Sequence, residues 1–206
     1  MSMSYQPQIS STPRKITLPD VPALVANARL AAILTTDGEI ETVDHSKVKQ
    51  IIHEQPVLVC HAPYTRNQLN ADSLSAFDLL ELFAFVHPGK FCVPTPIGLA
   101  KALGLTVPTD FESQAISLVE CAQALLSDLQ RDILQAKANP LTIAAVMGQQ
   151  GNGWNWTPFI FSAFGETYDP RLPVISKTDL NVWKNLPEWS EEAPEPPPSH
   201  HPVTGE

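Results

Sequence analysis

Apolar positions along the chain first follow the short periods of strands and later the longer period of helices. The pattern tightens at Val21, and Leu30 to Leu34 forms a short apolar run. Thr36-Asp37-Gly38-Glu39 then supplies an Asp-Gly turn, and Ile40 to Val43 alternates, so this stretch predicts a β-hairpin. Asp44 is placed to cap a short helix whose apolar residues Val48, Ile51 and Ile52 share one face. Pro56 to Cys60 is continuously apolar and too short for a helix, which predicts a buried strand. A helical turn is expected around Arg66 to Leu69.

Helical spacing takes over downstream. Phe77 to Val86 is apolar almost all round, the mark of a buried helix, and Pro88 ends it. Thr95-Pro96 reads as a helix start, with Thr95 as N-cap and Gly104 as the stop. Ile116, Val119, Ala122, Leu126, Leu129 and Ile133 keep one face over a long helix, which Asn139-Pro140 breaks. A second helical patch covers Leu141 to Met147. Gly148 to Gly153 reads as a flexible turn, and Trp154 to Phe164 as an aromatic-rich helix or pair of turns. Trp183 to Trp189 has the composition of a docking segment, and an extended, polyproline-like linker follows it.

The pattern predicts an α/β fold: a small sheet flanked by helices, then a helical C-terminal segment and an extended linker. The expected divisions are a tail at 1–20, an α/β domain at 21–137, an aromatic-rich helical segment at 138–165, and a docking segment with Pro-rich linker at 166–206. Of 206 residues, 43% are hydrophobic, enough for a core in one ordinary domain. No window approaches a membrane span and no secretory leader is visible, so the expectation is a cytoplasmic protein without membrane contact. Cys60, Cys92 and Cys121 are widely spaced, with no C-x-x-C pair, and read as buried small hydrophobes.

The net charge of −9 is unevenly spread. From Glu188 onward there are five carboxylates and no Lys or Arg, which leaves 17 acidic against 13 basic residues elsewhere. A Lys/Arg stripe for strong autonomous nucleic-acid binding is missing.

Motifs for catalysis are equally sparse. The Gly148–Gly153 cluster has no lysine and follows a helix rather than a strand, unlike a phosphate-cradling loop. Cys60 and His61 are adjacent in a strand and so point to opposite faces, which disfavours a nucleophile–base pair. A two-metal nuclease needs converging carboxylates. Asp37-Gly38-Glu39 has an Asp-x-Glu spacing but sits where the hairpin turns. Asp78 and Glu81 share one helical stripe, and Ser75-x-x-Asp78 fits a capping box. A last carboxylate is expected near Ser113 to Glu120, where Ser113 and Leu118 hold the spacing without a metal-binding group. No catalytic, cofactor-binding or metal residue is assigned.

The stretch Asp78-Leu-Leu-Glu-Leu-Phe-Ala-Phe-Val-His-Pro-Gly-Lys through Gly98-Leu-Ala-Lys-Ala-Leu-Gly-Leu105 resembles the N-terminal region of alphaproteobacterial DinG-type (XPD-like) ATP-dependent DNA helicases. Val57-Leu-Val-Cys-His-Ala62, Gly153-Trp-Asn-Trp156 and Leu186 to Pro198 fit the same family, so the resemblance runs from about Val21 to Glu206. More distantly, the region looks like a degenerate DnaQ-like, ribonuclease H-like 3′–5′ exonuclease domain. Val57 to Ala62 matches its strand ending in His-Asn, with Ala62 in place of Asn, and Phe77-Asp78-Leu-Leu-Glu-Leu matches its Asp-Thr-Leu-Glu-Leu region. The Asp-x-Glu strand pair and the last His and Asp are lost.

The resemblance implies a non-catalytic accessory module for DNA repair helicases. Its partners would be a helicase motor domain and, as a candidate, single-stranded DNA. No cofactor is expected in this chain, since ATP and Mg belong to a motor that would lie on sequence not present here. Two other readings stay open: a metal-dependent 3′–5′ exonuclease using Asp37, Glu39, Asp78 and Glu81, and an interaction domain without DNA contact.

Overall fold

A tight turn at Asp37-Gly38, with Gly38 at φ +85°, joins β2 (Leu30–Leu34) to β3 (Ile40–Asp44) in an antiparallel hairpin. In this computed structural model, which describes residues 15–130, 140–149 and 153–171, the hairpin occupies one side of a five-stranded sheet. Its order is β3-β2-β1-β4-β5, where β1 is Ala23–Ala26, β4 is Val57–Val59 and β5 is Ala76–Asp78. β1 pairs antiparallel with β2, whereas β4 and β5 run parallel to β1.

The period-two alternation of the inner strands sorts their side chains into two cores. On β4, Val57 and Val59 face one layer while Leu58, and Cys60 just beyond, face the other. Helices α1 (His45–Glu54) and α2 (Ala62–Leu69) cover the first layer through Val48, Ile51, Ile52 and Leu69. The second layer is larger. It holds α3 (Leu79–Val86), α4 (Pro96–Ala102) and the long α5 (Phe111–Gln130), which runs beneath β1 and β2. α6 (Pro140–Gln149) and α7 (Thr157–Ala163) add Ala144, Trp156 and Ile160 to that same core. Ile16 and Leu18, inside the stretch expected to be tail, also pack against it.

The local signals for helix ends work as the residue types require. Asp44 accepts the N–H groups of Ser46 and Lys47 at 2.9 and 3.0 Å to start α1. Thr95 caps α4 through the Gly98 N–H at 3.0 Å. Gly104, at φ +68°, ends α4, with the Gly104 and Leu105 N–H groups returning to the carbonyls of Lys101 and Ala100. Gly98 is needed for packing: a Cβ there would sit 2.3 Å from the Val93 carbonyl oxygen.

One expectation needs revision. The apolar run Phe77 to Val86 is not one helix, because its first residues complete β5 before α3 begins at Leu79. The helical turn expected at Arg66 to Leu69 is there, and it extends back to Ala62 as α2. Ile133, Asn139, the Trp183–Trp189 segment and the Pro-rich linker lie outside the described residues. Among the described residues no helix is long and apolar enough to cross a membrane.

Candidate functional site at the carboxyl edge of the parallel strands

Helix α2 begins at His61-Ala62-Pro63 with no capping side chain of its own. Its first N–H, on Ala62, is taken instead by Asp78 Oδ2 at 2.7 Å from the end of β5. The other oxygen, Asp78 Oδ1, accepts the N–H groups of Leu80 and Glu81 at 2.8 and 3.3 Å, so Asp78 is also the N-cap of α3. One carboxylate thus closes two helix N-termini, where the partial positive charge of each helix favours it. Asp78 is 3% exposed. The expected capping role is real, but Asp78 is the cap itself and not the fourth residue of a box opened by Ser75.

The outer edge of β5 is closed by the segment before α7. The Ser75 carbonyl bonds inward to the Val57 N–H at 3.2 Å, so the Ala76 and Asp78 carbonyls point away from β4. Asn155 Nδ2 donates to the Ala76 oxygen at 2.7 Å, and Trp156 Nε1 donates to the Asp78 oxygen at 2.8 Å. Two side chains therefore stand where a sixth strand would donate. Trp156 is fully buried, edge-on to Phe77 with ring centroids 5.1 Å apart. Trp154 lies against Phe85 at 5.0 Å and donates Nε1 to Glu81 Oε2 at 2.9 Å. Both tryptophans dock on this chain's own strand and helix.

Glu81 is held above the usual carboxylate range by burial, opposed by the Trp154 hydrogen bond and by nearby His61. Cys60 lies in the second, larger core, and burial together with Asp78 raises its thiol far above the ordinary value of 9.0. Such a thiol is a poor nucleophile at neutral pH.

The other candidate carboxylates are elsewhere. Asp37 and Glu39 are exposed in the β2–β3 turn, with the Thr35 N–H bonded to the Glu39 carbonyl at 2.8 Å. Three interstrand spacings, about 14 Å, separate β2 from β5. That exceeds the reach of a shared metal pair, which needs ligands around ions roughly 4 Å apart. The first strand of the sheet is Ala23-Leu-Val-Ala26 and carries no acid. Ser113 bonds Asp110 at the start of α5, and Leu118 is core. Among the described residues no group of three or more His, Cys, Asp or Glu side chains could hold a metal ion.

Asn155 and the long reach of Asp78 to Ala62 escape a reading of local patterns. The one clue is negative: a helix starting His-Ala-Pro lacks a capping oxygen and must borrow one. No protein-family model, curated protein or solved structure matches the chain.

Proposed function

We propose that the chain is a non-catalytic accessory module of an ATP-dependent DNA helicase, a ribonuclease H-like frame that packs against the motor and no longer cuts nucleic acid. The sheet supports the frame: three antiparallel strands followed by two parallel ones, in the order 3-2-1-4-5, is the arrangement ribonuclease H-like domains use. The resemblance of Asp78 to Leu105 to DinG-type helicases supports the context. The observation that supports the loss of nuclease chemistry is the engagement of Asp78, whose two oxygens already accept N–H groups of α2 and α3.

Packing is favoured over a grip on DNA by two features. Trp154 and Trp156 are engaged inside the fold and are not free to stack on bases. The chain is also acidic overall, at −9, which opposes a polyanion.

The test is incubation of the purified chain with labelled single-stranded oligonucleotides and magnesium or manganese, alongside D78A and the double variant D37A/E39A. No degradation above buffer is expected from any of the three. Cleavage by the parent chain that disappears in D78A would return the exonuclease reading. Fluorescence anisotropy at low salt separates the remaining roles, since tight, salt-sensitive binding would mean a DNA-positioning module.

A further inference from the structure

Between Leu82 and Thr109 there is no Asp or Glu, while Lys90 and Lys101 are present, in a chain that is otherwise acidic. The same stretch carries the most exposed large hydrophobic side chain among the described residues. Phe91 is 85% exposed, with Val93 at 51% and Ile97 at the first turn of α4 also open. These residues are contiguous. Phe91 and Val93 are two residues apart, and both are exposed. Val93 lies directly against Gly98, and Ile97 and Lys101 are one helical turn apart on α4. Asp128 on α5 is engaged by His87, just before the strip, at 3.1 Å. The stretch therefore combines exposed apolar side chains with two exposed cations next to them in sequence or one helical turn away, a combination a solitary surface has no reason to keep.

We propose that this face binds residues Trp183 to Glu195 of the same chain. That segment, Trp183-Lys-Asn-Leu-Pro-Glu-Trp-Ser-Glu-Glu-Ala-Pro-Glu195, is the chemical complement of the face. Trp183, Leu186 and Trp189 match the apolar strip, and Glu188, Glu191, Glu192 and Glu195 match Lys90 and Lys101. Reach permits it. The described chain ends at Arg171, and the twelve residues from there to Trp183 span up to roughly 40 Å when extended. A compact domain of this size is about that wide, so the tether reaches every face. Linkage in one chain also supplies a local concentration in the millimolar range, so modest contacts suffice. The inference stands whether or not the chain serves a helicase.

Hydrogen-exchange mass spectrometry on the full 206-residue chain tests it. Amides in 183–195 are expected to exchange more slowly than the rate for an unstructured chain. F91S, a surface change, should lower that protection about tenfold, the scale of one large apolar contact. K90E/K101E should lower it as well, and adding E191K/E192K to that variant should restore it. Unprotected exchange over 183–195 in the parent chain overturns the proposal, as does protection indifferent to both F91S and K90E/K101E. Protection that grows with protein concentration would assign the face to a second copy. Binding of a single-stranded oligonucleotide that F91S abolishes, with 183–195 unprotected, would assign it to nucleic acid.

Discussion

Asp78 does at one position what most chains need two residues to do. Removing it leaves the Ala62 N–H at the start of α2 without its partner and takes the cap from α3, where the Leu80 N–H keeps the Cys60 carbonyl at 3.1 Å. A lost cap costs about 1 kcal/mol, and a buried donor left unpaired costs about 1 to 3 kcal/mol. D78A is expected to lose roughly 3 kcal/mol of stability in urea unfolding, and D78N roughly half, since its single oxygen serves one helix while its amide meets the other N–H group. A loss below about 1 kcal/mol for D78A would mean water replaces the carboxylate cheaply, and Asp78 would again be free for other chemistry. Ser75-x-x-Asp78 made a helix start legible here, but not which residue was the cap. The spacing rule sees one helix at a time, and the second client of Asp78 lies sixteen residues upstream.

At the scale of elements, the hardest boundary was the one between β5 and α3. Ala76-Phe-Asp78 is only three residues long and runs without a turn into the apolar Leu79 to Val86, so period alone reads a single helix. What makes it a strand is tertiary: β4 on one side and the Asn155 and Trp156 side chains on the other. β1 was equally quiet, since Ala-Leu-Val-Ala has no flanking turn signal strong enough to announce it. The hairpin and the α4 ends were readable because Asp37-Gly38, Thr95-Pro96 and Gly104 each demand a special backbone geometry. The closure of β5 yields an ordered expectation. W156F removes the donor to a buried carbonyl and leaves a void, at roughly 2 to 4 kcal/mol. N155A removes a donor to a partly buried carbonyl, at about 1 kcal/mol. Urea midpoints should fall in that order, and an N155A loss as large as that of W156F would mean the edge is held by Asn155 alone.

Across the whole molecule, one core joins parts of the chain that a division near residue 138 would separate. Cys60 at the end of β4 and Cys121 on α5 share that core with Trp156 before α7. If these parts open together, both thiols become reactive in the same transition, and Trp156 loses its burial with them. Their titration gives this an independent handle. Burial pushes the Cys121 thiol up to about 12, from 9.0 when solvated, and raises Cys60 in the same direction. A raised folded value favours the folded state fully while the unfolded thiol is still protonated, below about pH 9. Above it the unfolded chain loses protons that the folded chain retains, so stability falls as pH climbs from 9 toward 12. Urea unfolding at pH 8 and pH 10.5, in a W183F/W189F background to simplify the fluorescence, should give a lower midpoint at the higher pH. A C60A/C121A variant should show a smaller drop. Alkylation of Cys60 and Cys121 should follow the fluorescence curve, while the only partly buried Cys92 reacts earlier. Cys121 labelling well before the combined Trp154 and Trp156 signal changes would mean α5 opens while the α7 segment stays closed, and the single shared core would have to be divided.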